Sequence, residues 1–135
     1  MPHGVFRRVL LVGPWALKFP RWNALLSGMQ CNRWEREMWR VWQPIFHWSN
    51  LCPVLASDPF GFIVVMPRAT QPVSRAAVEA ADPDDYPGIT AETKPEDYGH
   101  IGTRVLALDY GLPDSKMTGD RRSYYVEMAA RRAAS

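Results

Sequence analysis

The segment Arg104-Val105-Leu106-Ala107-Leu108-Asp109-Tyr110-Gly111-Leu112-Pro113 is a run of strand-forming and aliphatic residues that carries one carboxylate to its end. An aromatic residue and a glycine follow at once, and glycine tolerates the backbone conformations of a sharp turn. A chain built this way holds Asp109 at a defined point. Read as structure alone, it is a strand closed by an Asp-x-Gly turn. Read as chemistry, it is a carboxylate aimed at a ligand, and the elements upstream decide between the two.

With 135 residues, 47% of them hydrophobic and 12% aromatic, the chain has the material for one domain with a substantial core. Its formal net charge of +2 is too small to imply nucleic-acid binding, yet the charges are unevenly placed. Residues 1–50 hold seven Arg and Lys against two Asp and Glu, whereas residues 51–112 hold four against nine. Such a division suits two surfaces matched inside the fold, or a basic face for an anionic ligand or partner. Cys31 and Cys52 lack CxxC spacing and the three His are scattered, so neither a disulfide framework nor a zinc site is expected. No apolar run approaches the roughly 18 residues of a membrane span, and the first residues lack a signal peptide's architecture. The expectation is a cytoplasmic protein with no membrane partner. Thirteen Arg against three Lys, with plentiful Ala, Gly and Pro, suit a GC-rich bacterial or phage genome.

Val5 to Val12 and Trp15 to Phe19 read as two strands around Gly13-Pro14. Period-two alternation puts Trp15, Leu17 and Phe19 on one side and Ala16 with Lys18 on the other, looking out together. Trp22 to Trp42 is the longest helical candidate, with a weak point near Ser27-Gly28. Cys31, Trp34, Met38, Val41 and Trp42 form its apolar stripe, opposite Arg33, Arg36 and Arg40. Glu37 has arginines three and four residues away, but Glu35 has none at either spacing. Glu35 also turns closer to the apolar stripe, so it needs a counter-ion from elsewhere in the fold. Leu51 to Ala56 and Gly61 to Met66 read as a second hairpin around Ser57-Asp58-Pro59-Phe60. A short Ala-rich helix follows with Ser74 as its N-cap, then an acidic loop over Asp82 to Pro87, and a last helix over Ser123 to Ala133.

Ala16-x-Lys18, Glu35, Lys94-Pro95-Glu96 and Asp109-Tyr110-Gly111, in this order and spacing, resemble the nucleotide site of protein kinases. The resemblance implies an α+β fold: a small-lobe-like antiparallel sheet with one main helix over 1–66, then a hinge, catalytic-loop and Asp-Tyr-Gly segment over 67–113. A C-terminal helical tail over 114–135 completes a single domain. It also implies that Ala16 leaves room over a nucleobase, that Lys18 paired with Glu35 reaches phosphates, and that Asp97 and Asp109 hold a divalent cation. The implied cofactor is ATP or another nucleotide with Mg²⁺.

The chain departs from that pattern where the chemistry lies. Thr90-Ala91-Glu92 stands where the family has His-Arg-Asp, which leaves Glu92 as the candidate base, one methylene longer than the usual Asp. Asp97 stands where the family has Asn. No Gly-x-Gly-x-x-Gly precedes Lys18, and only 24 residues follow Gly111. A truncated pseudokinase acting through protein contacts is therefore expected, more a binding protein than an enzyme. Two alternatives stay open: a minimal phosphotransferase using Mg-ATP, and a small phage or prophage inhibitor or adaptor with no nucleotide role. Six Trp and thirteen Arg suit the third, and an exposed patch of Trp22, Trp39 and Trp48 beside Arg36 and Arg40 is its expected mark.

Overall fold

Two mostly apolar runs flank Gly13-Pro14 and make a tight hairpin, since Gly13 takes a φ of 54° that other residues resist. In a computed structural model, which describes residues 6–47, 51–81, 95–111 and 119–134, this hairpin is β1 (Arg7–Val12) and β2 (Trp15–Pro20). β3 (Ala56–Ser57) and β4 (Val64–Pro67) complete an antiparallel sheet of order β1-β2-β4-β3. A separate hairpin pairs β5 (Tyr98–Ile101) with β6 (Arg104–Ala107). The fold is thus mixed α+β, with an antiparallel sheet and one main helix. No helix among the described residues is long and apolar enough to cross a membrane.

The main helix begins as a 3₁₀ turn over Trp22–Ala24 and continues as α1 (Leu25–Glu37), a π segment (Met38–Trp42) and α2 (Gln43–Phe46). The helix runs unbroken through the expected weak point at Gly28, where a β-carbon would lie 2.5 Å from the Phe6 carbonyl oxygen and 2.5 Å from Pro20 Cβ. Glycine is needed for the close approach of helix to hairpin. The π segment, where Gln43 N–H bonds the Met38 carbonyl, inserts one residue into the helical turn. Cys31, Trp34, Met38 and Trp42 consequently stay buried while Val41, expected on the same stripe, is turned out to 45% exposure.

The second hairpin is shorter than the sequence implies. Asp58 takes the backbone N–H groups of Phe60 at 3.0 Å and Ile63 at 2.8 Å, so residues 58–63 form a side-chain-bonded loop instead of strand. Ser74 caps α3 (Arg75–Ala81) through a 3.1 Å bond from Ala77 N–H, as its position before the Ala-rich run predicts. The two sheets are tied by Cys52 N–H to the Ala107 carbonyl at 2.9 Å, and by reciprocal bonds between Thr70 and His100.

α4 (Gly119–Ala134) starts four residues earlier than the sequence suggests. On α4, Tyr125 is fully buried while Val126 is 56% exposed. The Tyr125 ring lies 6.2 Å from Trp34, 5.2 Å from Trp42 and 5.7 Å from Phe46, between centroids. Arg132 adds a 2.8 Å bond to the Ile45 carbonyl at the end of α2. Truncation of such a ring leaves a cavity among three aromatics, so Tyr125→Ala is expected to lower unfolding free energy by about 3 kcal/mol in urea melts.

Candidate functional site

Strand register decides which side chains meet. Val9 sits opposite Lys18, Leu11 opposite Ala16, and Ala16 opposite Met66, so Arg7, Val9, Leu11, Ala16, Lys18 and Met66 share one face of the sheet. That face is covered. Lys18 is only 5% exposed, whereas Trp15 on the other face is 48% exposed, so Ala16 and Lys18 look inward and not outward as expected. The segment 108–111 closes over them, because Leu108 N–H bonds the Asp97 carbonyl at 2.8 Å and Asp109 N–H bonds it at 3.3 Å. Between these walls lies a cavity of about 650 Å³, reached also by Pro67 to Gln71 and by Glu96 and Asp97.

Glu35, fully buried on α1, is the centre of the site. Its Oε1 accepts from Arg7 Nη1 at 2.6 Å and Lys18 Nζ at 3.1 Å. Its Oε2 accepts from Arg7 Nη2 at 2.9 Å, Lys18 Nζ at 3.0 Å, and the backbone N–H groups of Tyr110 and Gly111, each at 3.0 Å. The counter-ion that Glu35 lacks within its own helix therefore comes twice over, from β1 and from β2. Lys18 also donates to the Leu108 carbonyl, and Arg7 to Asp109 Oδ1. Asn32, one turn before Glu35, accepts from Arg7 Nη1 at 3.1 Å and donates to the carbonyls of Lys18 at 3.2 Å and Gly61 at 2.9 Å.

Burial alone would raise the Glu35 pKa, but the charges and hydrogen bonds of Arg7 and Lys18 outweigh it and hold the carboxyl at about 2. Burial would likewise lower the Arg7 pKa, and the charges of Glu35 and Asp109 reverse that shift and raise it. Desolvation pushes the buried Cys31 thiol up to about 11 and Cys52 to about 12. It also lifts the Tyr110 hydroxyl, which donates to the Cys52 carbonyl at 2.8 Å. Both thiols are thus protonated near neutral pH and poorly suited to nucleophilic work.

Of the residues singled out from sequence, Ala16, Lys18, Asp97 and Asp109 line one cavity and Glu35 stands directly behind Lys18. Glu92 lies outside the described residues. Gly111 does not serve a left-handed turn; a β-carbon there would come within 2.6 Å of the Cys31 carbonyl, so it is glycine that lets the segment touch α1. Arg7 and Asn32 were not singled out by sequence reasoning. A signal for Arg7 existed: it alternates with Val9 and Leu11, and in the hairpin that alternation puts it on the same face as Lys18. Nothing local marks Asn32.

A divalent cation fits this arrangement poorly. Asp109, expected as its ligand, has one carboxylate oxygen against the Arg7 guanidinium, and among the described residues no three His, Cys, Asp or Glu side chains converge. No family model, curated protein or solved structure matches the chain.

Two substitutions follow from the geometry. Glu35→Gln leaves two buried cations without their shared anion and is expected to destabilise by about 3–5 kcal/mol in chemical denaturation. Because the folded pKa of Glu35 is depressed, its contribution is complete above the ordinary carboxyl range and disappears as pH falls from about 4.5 towards 2. The variant should flatten the stability profile in that window. Asp109→Asn keeps the shape but loses the ion pair with Arg7 at a half-exposed position, so a loss of about 1 kcal/mol without any ligand is expected in the same melts.

Proposed function

We propose that the chain is a kinase-like, catalytically impaired module that holds a nucleotide-type ligand, or keeps the shape of that site, and acts through protein contacts in a bacterial or phage-infected cell. The observation that carries this reading is the Lys18–Glu35 ion pair, 3.0 Å long, at the wall of a cavity that also meets Asp109. Supporting it are the insertion of the main helix between β2 and β3, and the sheet order β1-β2-β4-β3. The small Ala16 leaves space beside Met66, and the chain from Pro67 to Gln71 gives the cavity a backbone edge. A volume of about 650 Å³ suits a ligand of nucleoside or nucleotide size.

Impaired catalysis follows from the same residues. Phosphoryl transfer depends on positioned metal and a positioned base. Here Arg7 engages Asp109, while Glu92 and Asp97 replace the family's base and metal-binding amide. The expected role is binding without turnover.

One observation favours an adaptor with no nucleotide role. Trp22 is 87% exposed and continues into Leu25 and Leu26, with Phe60 and Phe62 also exposed on a loop that Arg33 ties to α1 by a 2.9 Å bond to the Phe60 carbonyl. This is not the patch expected from sequence, since Trp39 packs partly against the core and Trp48 lies outside the described residues. An apolar surface of this kind is a place for a protein partner.

A thermal-shift panel of nucleotides and nucleosides tests the reading. A ligand at about 100 times its dissociation constant should stabilise the wild type by about 2.7 kcal/mol. Ala16→Phe, which fills the cavity, should abolish the response, and labelled ATP should yield no phosphorylated product. Silence towards every member of the panel would move the weight to the adaptor. Phosphate transfer would instead make the chain an active enzyme.

A further inference from the structure

The polar end of the cavity is already neutral and already bonded. Arg7 and Lys18 face Glu35 and Asp109, two cations against two carboxylates. Arg7 directs four hydrogen bonds from its two terminal nitrogens to Asn32, Glu35 and Asp109, and all three bonds of Lys18 go to Glu35 and the Leu108 carbonyl. Few guanidinium or ammonium N–H groups are left for a phosphate. The other charged groups on the wall are one cation, Arg68, and two carboxylates, Glu96 and Asp97. A polyphosphate entering without metal meets no positive surplus, and one entering with a divalent cation brings that cation against a buried guanidinium. Arg7 and Lys18 can turn to a phosphate only by giving up bonds to Glu35 that hold α1 to the sheet.

The remaining walls have the opposite character. Val9, Leu11, Ala16, Met66 and Leu108 offer apolar surface, and Ala69, on the backbone edge, makes no hydrogen bond within the described residues. Apolar faces with a few polar backbone groups select flat, uncharged rings.

Resting on the nucleotide-site reading above, we propose that Arg7 occupies the place a phosphate-bound divalent cation would need, so the cavity takes the uncharged ring-bearing part of a nucleotide. The ligand is a nucleoside or free base, held without metal. Nucleoside triphosphates are discriminated against, with or without Mg²⁺.

Calorimetric titration of the full chain with adenosine, guanosine, ATP and GTP, each in EDTA and in Mg²⁺, tests this. At least one nucleoside is expected to bind roughly tenfold or more tightly than its triphosphate, with Mg²⁺ changing neither appreciably. A triphosphate that binds as tightly as its nucleoside, or one that tightens roughly tenfold in Mg²⁺, overturns the inference and leaves the nucleotide site standing. Silence towards all four probes overturns both. Arg7→Gln keeps a donor near Glu35 but frees Asp109, and in Mg²⁺ it should close most of the gap between nucleoside and triphosphate. An unchanged gap in the folded variant shows that Arg7 is not its cause and overturns the inference. Should the variant not fold, the wild-type titration decides alone.

Discussion

A single carboxylate with no exposure to water, Glu35, joins four parts of the chain that are far apart in sequence. It binds β1 through Arg7, β2 through Lys18, and the segment after β6 through the backbone of Tyr110 and Gly111, while standing on α1 itself. A buried charge is costly unless it is paired and its lone pairs are filled, and here both conditions are met by groups from separate elements. The position of α1 against the sheet is thereby coupled to the position of the Asp109 segment. Moving either one strips partners from the same carboxylate.

Close backbone approaches make that coupling possible. Gly28 lets α1 contact the start of β1 and the end of β2, and Gly111 lets the last segment reach the backbone of the same helix at Cys31. At 2.5–2.6 Å, any β-carbon would separate these surfaces by more than a hydrogen bond can tolerate. Apolar packing then acts on the helix's other side, where α4 buries Tyr125 against Trp34 and Trp42. The helix is held by charge on one face and by aromatic area on the other.

Arg7 changes what the site can do. Beside the Lys18–Glu35 pair and Asp109 it is a further charged partner, bonded to both carboxylates, and it satisfies them internally. Its guanidinium fork suits this role, since two nitrogens can bond two acids at once where an ammonium would act as one point. The polar end of the cavity becomes a structural joint, while its apolar walls stay open.

By itself the sequence determined the local elements and the identity of several site residues. Gly13-Pro14 between alternating strands set the first hairpin, Ser74 before an Ala-rich run set a cap, and the lack of a cation near Glu35 on its own helix announced a distant counter-ion. These are legible because propensity, capping and helical spacing act over a few residues. Tertiary structure alone decided which counter-ions arrive, that Lys18 faces inward, that the π segment turns Val41 out, and that Asp109 belongs to Arg7. The Arg7–Asp109 contact spans 102 positions, and no local rule ranks one distant cation over another. Only the register of β1 on β2 and the closeness that Gly28 and Gly111 allow place both cations on one buried carboxylate, because the cost of burying charge is settled by the whole fold.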